Sequence, residues 1–325
     1  MVLNVAYSSS DLYSKFAGIS MISLFENNKE FENINIYLIE DNVSEENKNK
    51  LKKIVERYNR NIYFLSFTII SEGMKGLNNN FAKSTYGKLF LYKLEHLNKI
   101  IYIDCDTIIQ GSLKELWEMN IDNYSMGGVL DCVYPYEKDT IHMKKKDNYI
   151  NCGVLLLNLE IWRKKNITKK CIQYLEENNY LTPNYDQGLL NCICHNSTLI
   201  IDPKYNMMSH VFSYNRDNVI KLFKLNEYYS DKILQNAKRN PVIIHYLEHF
   251  YGKPWYSESS HPYRDVFVKY WEISPWKVEQ IELKLKKRLK LRKFVYTYFG
   301  FVFYKHLERL LNLRRKIIVK KSYHI

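Results

Sequence analysis

The sequence predicts an α/β protein: a mainly parallel, doubly wound sheet flanked by helices and followed by a basic helical tail. Strand-like apolar segments alternate with amphipathic helical segments along most of the chain. One apolar segment, residues 100–103, ends abruptly in Asp104 and Asp106. Positive charge is concentrated after Trp276. Alternating strands and helices are typical of βαβ units, in which helical crossovers join parallel strands.

The individual elements follow from hydrophobic periodicity and from signals at their ends. Strands are predicted at residues 2–7, 34–39, 62–70, 100–103, 125–130, 154–157, 199–201 and 242–245, and helices at 12–25, 44–58 and 85–94. Ser44 is expected to cap the second helix, because two glutamates then occupy its first turn near the positive end of the helix dipole. Ser112 and Glu115 have the spacing of a capping box that opens a short helix.

Composition limits the class of protein. The 325 residues suit one large domain, or one domain with an appendage. Glycine is scarce, at 11 residues, and neither GxGxxG nor GxxxxGK[ST] occurs, which disfavours a glycine-looped nucleotide site. The amino terminus lacks the pattern of a secretory signal, and no stretch reaches the roughly 20 apolar residues of a membrane span. The six cysteines show no CxxC pairing, so we expect a cytoplasmic protein with reduced thiols.

The charge distribution predicts two parts. Residues 277–325 contain 15 Lys and Arg against 3 Glu, a net charge of +12, whereas the whole chain carries +13. Residues 1–276 are therefore nearly neutral. We expect a catalytic domain at 1–276 and a basic amphipathic tail at 277–325.

Asp104 and Asp106 form the most informative motif. They directly follow a buried strand, and open α/β sheets bind their ligands at the carboxyl ends of strands. If Cys105 points inward, both aspartates can direct oxygens at one hard divalent cation. The alternative is a turn or helix cap before Ser112. Further candidate site residues lie at or near the ends of other elements: Asp131, Asn151 and His245 at strand ends, Asp186 and Gln187 at the opening of a helix, and Gly252 and Lys253 shortly after His245.

The order of these motifs resembles glycosyltransferase family eight. The matching features are Ala6, Tyr86 in STYGK, IDCD, LD at Asp131, NCGVLLLNL, YDQ, YN at Asn206, IIHY and GKPW. The resemblance covers about residues 1–276. The family comprises retaining, metal-dependent enzymes of the GT-A fold, among them bacterial lipooligosaccharide galactosyltransferases and glycogenin.

The resemblance implies a UDP-hexose donor and assigns residues to it. Asp104, Asp106 and His245 would bind the metal, and the nitrogen ligand favours Mn²⁺ over Mg²⁺. His249 is the alternative ligand. Relatives usually have glycine three residues after the metal-binding histidine, and in this chain Gly252 lies three residues after His249, whereas Glu248 lies three residues after His245. The catalytic group would be Gln187, Asp131 and Asp186. The substrate-binding residues would be Ala6, Ser10, Asp11, Tyr13, Tyr86, Lys88, Asp104, Cys105, Asp106, Asn151, Gly252 and Lys253.

The tail combines basic residues with the aromatic run FVYTYFGFVFY at 294–304. An apolar face flanked by Lys and Arg predicts a helix lying on an anionic membrane surface. Nucleic-acid binding and a solvated charged helix packed on the body are the alternatives. We favour the membrane and expect no nucleic-acid partner.

Together these features predict a peripheral enzyme on the inner face of the cytoplasmic membrane. It would move glucose or galactose from UDP to a saccharide or glycolipid acceptor, such as lipooligosaccharide. One alternative is a sugar nucleotidyltransferase, although residues 2–13 lack the usual glycine- and basic-rich loop. The other is a non-enzymatic protein that binds polyanions or membranes through its tail.

Overall fold

The computed structural model describes residues 1–72, 83–279 and 284–322. Its strands are β1 (Val2–Ser10), β2 (Asn33–Asp41), β3 (Asn61–Ser66), β4 (Lys99–Ile103), β5 (Thr107–Ile109), β6 (Met126–Leu130), β7 (Ile150–Asn158), β8 (Thr198–Ile200), β9 (Met207–Met208) and β10 (Ile243–His245). Its α-helices are α1 (Asp11–Asn27), α2 (Glu45–Arg57), α3 (Phe67–Ile70), α4 (Lys114–Glu118), α5 (Pro135–Thr140), α6 (Leu159–Lys164), α7 (Ile167–Glu177), α8 (Asp186–Cys194), α9 (Ser209–Ser213), α10 (Arg216–Phe223), α11 (Asp231–Arg239), α12 (Arg264–Glu272) and α13 (Lys287–Ser322). The 3₁₀ helices lie at Lys83–Lys93, His195–Ser197 and Pro203–Tyr205.

The central sheet has seven strands in the order β3-β2-β1-β4-β7-β6-β8. The pairs β3/β2, β2/β1, β1/β4 and β6/β8 are parallel, and β7 runs antiparallel to both of its neighbours. The predicted mainly parallel α/β fold is therefore confirmed. Alternate residues of β1 enter two apolar clusters, Leu3 and Val5 one of them and Ala6 the other, because successive side chains point to opposite faces of a sheet.

The reversed direction of β7 brings polar residues to one edge of the sheet. The carboxyl end of β4 meets the amino end of β7, where Ile103 pairs with Val154 and the Asp104 amide donates to the Gly153 carbonyl at 2.7 Å. The carboxyl end of β6 reaches the same place, since Leu130 pairs with Ile150.

A second, three-stranded sheet, β5-β10-β9, begins directly after Asp106. Strand β10 runs antiparallel to β5, which places His245 opposite Thr107. The Tyr246 amide donates to the Asp106 carbonyl at 2.9 Å. This pairing fixes a histidine from far along the chain beside the two aspartates.

Several predicted boundaries differ from the structure. The segment 62–70 is not one strand: β3 ends at Ser66, and α3 begins at Phe67, whose ring packs edge-on against Phe90. The helix predicted at 85–94 is a 3₁₀ helix. The predicted Ser44 cap is confirmed, because the Ser44 hydroxyl accepts from the Asn47 amide at 3.3 Å.

The capping box predicted at Ser112 and Glu115 is wrong. The helix there starts one residue later than that pattern requires, with Leu113 at its N-cap. The Glu115 carboxylate is turned away from the helix end and instead accepts from Lys204 at 2.7 Å and from the Tyr205 hydroxyl at 2.9 Å.

The tail forms α13, which is kinked at Gly300, where φ is +73°. One side of α13 packs on the body: Leu289 and Tyr304 are buried in the main apolar cluster or beside it, and the Tyr296 hydroxyl donates to the Ser213 carbonyl at 2.6 Å. Arg292 and Glu308, both half-buried, form an ion pair on the helix itself. Within the described residues, no helix has the length and apolar character needed to cross a membrane.

Candidate active site

Asp104, Asp106 and His245 converge at the edge of the sheet. Each offers one ligand atom, and the three atoms lie within 4.8 Å of one another. His245 Nε2 is 3.2 Å from Asp106 Oδ1 and 3.9 Å from Asp104 Oδ2. Two carboxylates and one imidazole are a donor set suited to a divalent cation.

The orientation of His245 suits a metal ligand. The Asn206 amide donates to Asn151 Oδ1, so Asn206 Oδ1 is the atom that accepts from His245 Nδ1, at 2.9 Å. Nε2 is then the ring nitrogen that faces the two aspartates, and although it is buried it has no hydrogen-bond partner in the described structure. Such an arrangement, with one nitrogen held and the other free, is typical of metal-binding histidines.

Because Gly153 has no side chain, a hollow remains next to His245 and Asp104. A Cβ built at Gly153 would lie 2.2 Å from His245 Cε1 and 2.7 Å from Asp104 Oδ2, distances that no side chain tolerates. Any other residue there would push the ligands apart. The hollow, the unpartnered nitrogen and the donor types therefore fit a bound divalent cation.

Lys253 supplies the positive charge next to this group. Its ammonium forms an ion pair with Asp106. Burial alone would raise the pKa of Asp106, but Lys253 and His245 outweigh it and hold that pKa well below its usual value. Gly252, with φ at +78°, makes the turn before Lys253, a conformation that residues other than glycine rarely adopt.

A hydrogen-bonded amide network lies beside the metal ligands. Asp131 Oδ2 accepts from Gln187 Nε2 and from Asn151 Nδ2, each at 3.0 Å. Gln187 Oε1 accepts from Asn151 Nδ2 at 3.0 Å and from the Cys152 amide at 3.2 Å. Through Asn151 and Asn206 the network reaches His245. The groups predicted to hold a sugar and to bind a metal are thus one connected system.

Lys88 and Asp186 form a buried ion pair beneath the site. Their charged atoms are 2.6 Å apart, and Lys88 also donates to the Cys152 carbonyl at 2.9 Å. Burial raises the pKa of Asp186 despite the attraction of Lys88. Lys88 Nζ lies 3.8 Å from Asp104 Oδ1, and its side chain is only 2% exposed. Lys88 therefore contacts both Cys152 of β7 and Asp104.

The residues predicted to bind the nucleoside lie at different depths. Ser10 and Tyr13 are on the accessible rim, at the junction of β1 and α1. Asp11 Oδ1 accepts from the Ser44 amide at 2.8 Å, from its hydroxyl at 2.7 Å and from Asn47 Nδ2 at 2.8 Å. These hydrogen bonds, that from Asn47 first, lower the pKa of Asp11.

Ala6, Tyr86 and Cys105 lie below the surface. Ala6 is fully buried within β1, and the Tyr86 hydroxyl is 3.5 Å from Thr182 Oγ1. Cys105 points inward as predicted, and its thiol donates to the Ser8 carbonyl at 3.2 Å. Donor binding by these residues remains a prediction.

Three features of the site were not assigned a role from the sequence. Asn206 orients His245, Gly153 leaves the hollow, and the Tyr102 hydroxyl donates to Asp104 Oδ1 at 2.8 Å. The sequence signal for Asn206 was a polar residue directly before the apolar pair Met207 and Met208. His249 is not part of the site: its Nε2 is 3.4 Å from the Tyr214 hydroxyl, in a cavity against α13.

Comparison with known proteins identifies the family. The sequence profile described as "Glycosyl transferase family 8" matches residues 4–259. The chain belongs to this family. It is 28% identical over 300 residues to the "Lipopolysaccharide 1,2-glucosyltransferase" of Escherichia coli, covering 90% of this chain and 84% of that one. It is 25% identical over 281 residues to "General stress protein A" of Bacillus subtilis strain 168, covering 85% and 95%.

Solved structures show the same fold. The galactosyltransferase LgtC, solved with donor and acceptor sugar analogues, matches with a TM-score of 0.70 at 19% identity, covering 85% of this chain and 99% of LgtC. The bifunctional glycosyltransferase WbbM matches with a TM-score of 0.71 at 21% identity, covering 86% of this chain and 51% of WbbM. The predictions of a GT-A fold and of a family-eight glycosyltransferase are confirmed.

Proposed function

We propose that this glycosyltransferase moves a hexose, glucose or galactose, from UDP to a bacterial surface saccharide such as lipooligosaccharide, with retention of configuration. The observation that carries the proposal is the group Asp104, Asp106 and His245, joined by hydrogen bonds to Asp131, Asn151 and Gln187. Relatives named as lipopolysaccharide 1,2-glucosyltransferase and 1,3-galactosyltransferase support the choice of hexose and acceptor.

Asp104, Asp106 and His245 would hold Mn²⁺, or Mg²⁺ less favourably. When bound, the cation supplies Lewis-acid neutralisation of the donor diphosphate. Lys253 adds a fixed positive charge that stabilises the leaving diphosphate as the glycosidic bond breaks. Asp131 and Asn151 hold hydroxyls of the hexose, and Gln187 contacts the sugar near the anomeric carbon.

The surroundings of the carboxylates favour front-face attack. A double displacement needs a carboxylate free to approach the anomeric carbon. Asp186 is buried against Lys88, Asp131 accepts two amide hydrogen bonds, and Gln187 is a poor nucleophile. The acceptor oxygen therefore bonds to the anomeric carbon on the side that the diphosphate leaves, and a phosphate oxygen takes the acceptor proton.

A panel of nucleotide sugars tests the donor. With Mn²⁺ and no acceptor, UDP-glucose or UDP-galactose should be hydrolysed at least about tenfold faster than GDP or ADP sugars, measured as release of nucleoside diphosphate. Chelation should stop the release. A sugar nucleotidyltransferase would instead release pyrophosphate from a nucleoside triphosphate and a sugar 1-phosphate. Absence of UDP release from every UDP-hexose would reject the proposal.

We also propose that the tail holds the enzyme on the cytoplasmic face of the membrane, whose anionic lipids attract basic segments. The outer side of α13 carries large apolar side chains that are at least half exposed: Leu291, Phe294, Tyr298, Phe299, Val302 and Phe303. Monomeric proteins rarely expose a contiguous apolar surface without a partner. Because this surface is apolar as well as basic, a lipid interface suits it better than a nucleic acid.

Point variants on this surface test membrane binding. Phe299→Ser with Phe303→Ser should weaken binding to phosphatidylglycerol vesicles at least about tenfold, since each ring loses burial worth roughly 1.5–3 kcal/mol. Both rings are more than half exposed, so the fold should persist. Exposed Ile69→Ser on the body is the control. Co-sedimentation unchanged in the double variant would exclude this surface as the anchor.

A further inference from the structure

An open groove lies between α5 with its following loop, the end of α10, and α13. Its volume is about 560 Å³. Four cationic side chains line it, Lys145, Lys224, Arg309 and Lys316, and Asp139 is the acidic residue among its lining. The groove is separate from the metal group and from the amide network described above.

The four cations are not held in ion pairs by the described side chains, although Asp139 also lines the groove. None of them forms an ion pair with a carboxylate within 4 Å among the side chains that the structure describes. Other basic residues of the same tail are neutralised: Arg288 pairs with Glu248, and Lys290 with Glu258. Unneutralised cations around one concave surface attract an anion with several acceptor oxygens.

The wall of the groove is aromatic and is held in place. The rings of Tyr134 and Tyr136 are stacked, with centroids 6.0 Å apart and an interplanar angle of 15°. The Tyr136 hydroxyl donates to Asn312 Oδ1 at 2.8 Å, which ties α5 to α13. Glu137 accepts from the Tyr134 amide at 2.8 Å and from Asn184 at 3.1 Å. Fixed aromatic faces beside cations suit a ligand that has both an apolar ring face and a charge.

The groove adjoins the sugar site. Tyr134 follows Asp131 by three residues, so their Cα atoms lie within about 11 Å of each other. A second link runs through Tyr149, whose hydroxyl is 3.5 Å from Gln187 Nε2 and 3.4 Å from Asn184 Nδ2. A ligand in the groove therefore lies near the chain segment that carries Asp131 of the amide network.

We propose that this groove binds a phosphate carried by the acceptor, with the tyrosines supporting the adjacent sugar ring. Arginine offers bidentate donors to a phosphate, and the lysines add charge. The inference rests on the proposed hexosyltransferase function for the existence of an acceptor. It adds that the acceptor is phosphorylated close to the hydroxyl that receives the hexose. A lipid headgroup carries the same chemistry, so the test separates the two sources.

The test uses the full chain, with glucose 6-phosphate, glucose and phosphatidylglycerol vesicles as probes. Lys224→Asn removes a body cation at a position where φ is +56°, a conformation that asparagine tolerates. Lys316→Glu reverses one on the tail. The matched controls are Lys221→Gln, on α10 three residues before Lys224, and Arg314→Glu, on α13 two residues before Lys316; neither residue lines the groove.

Glucose 6-phosphate should bind saturably to wild type, measured by calorimetry, and glucose should not. Each groove variant should weaken this binding about fivefold, the loss of one charge-assisted contact, and the controls should leave it unchanged. Lys316→Glu and Arg314→Glu should lower vesicle binding equally. Metal-dependent hydrolysis of UDP-hexose should persist in all four variants, which separates this proposal from the proposed function.

Two results would overturn the proposal. Equal weakening of glucose 6-phosphate binding by the control variants, or no binding by wild type, would show that the groove is not a phosphate site. Selective loss of vesicle binding in Lys224→Asn and Lys316→Glu, with glucose 6-phosphate unaffected, would assign the groove to lipid headgroups instead.

Discussion

Replacing Asp104 by asparagine should lower hexose transfer at least about a thousandfold, because the donor diphosphate would leave without full charge neutralisation. Asp104 is the better of the two aspartates to change. Its side chain is 34% exposed, whereas Asp106 is the ion-pair partner of Lys253, both side chains being only 14% exposed, and its loss would also destabilise the fold. The asparagine can still accept the hydrogen bond from the Tyr102 hydroxyl through Oδ1.

Metal binding gives a readout independent of activity. Mn²⁺ should raise the melting temperature of wild type, since a ligand at 100 times its dissociation constant adds about 2.7 kcal/mol to the free energy of unfolding. Asp104→Asn and His245→Gln should lose most of this increase. His249→Gln should retain it, because His249 lies against Tyr214 and α13. Exposed Asp122→Asn is the control for charge.

Transfer that proceeds at full rate in chelator would contradict the assignment, as would a stabilisation by Mn²⁺ that survives in Asp104→Asn. A larger loss in His249→Gln than in His245→Gln would exchange the two histidines. These outcomes are distinguishable from simple unfolding, because the melting temperature without metal is recorded for each variant.

Much of the sheet could be predicted because its strands are local apolar runs with clear ends. Residues 100–103 are bounded by Lys99 and Asp104, and the structure places β4 there. The antiparallel direction of β7 was not predictable from alternation, since a strand buried along its whole length reads the same in either direction. The end of β3 was missed because Phe67 and the residues after it continue the apolar pattern, although Phe67 is buried against Phe90 as part of a helical turn.

The site residues were predictable where polar side chains end or directly follow a strand, as with Asp104, Asp106 and His245. The choice between His245 and His249 depends on the pairing of β10 with β5, a contact between segments about 136 residues apart in sequence. Nothing local encodes that contact. The role of Gly153 was likewise not predictable, because it arises from the close approach of His245 and Asp104, which lie on other elements.

Two of the alternatives considered for the tail, a membrane-binding helix and a helix packed on the body, each describe one side of α13. Its charge and aromatic content were evident in the sequence, but the faces could not be assigned. Tyr304 and Leu289 pack on the body, whereas Phe299 and Phe303 face outward. Truncation after Trp276 would therefore expose part of the apolar cluster, and point variants are the cleaner test of the membrane-binding surface.

Replacing Gln187 by alanine should lower kcat about a hundredfold and change the KM for the donor little. Its amide is 3.0 Å from both Asp131 and Asn151, at the centre of the network that we propose holds the hexose. A contact near the anomeric carbon gains most as positive charge develops there, so its loss falls mainly on the transition state. Exposed Gln173→Ala is the matched control.

Replacing Gln187 by glutamate tests the same position by introducing a carboxylate in place of the amide. A carboxylate oxygen would replace Nε2 at 3.0 Å from Asp131 Oδ2, and two carboxylates so close must share a proton, which raises the pKa of the pair. At low pH the shared proton preserves the network. As pH rises through the raised pKa, the two charges repel, so the activity of Gln187→Glu should decline above a pH at which wild type remains fully active.

The same variant examines the route of attack. An ionised glutamate at this position is a stronger nucleophile than the amide, so a covalent hexosyl-enzyme detected by intact-mass spectrometry in Gln187→Glu would place residue 187 beneath the anomeric carbon. Absence of an adduct together with the expected fall in kcat for Gln187→Ala would keep Gln187 at the site and favour front-face attack. Kinetics of Gln187→Ala identical to wild type would remove it from the active site, and the Asp131–Asn151 pair would then have to hold the hexose without it.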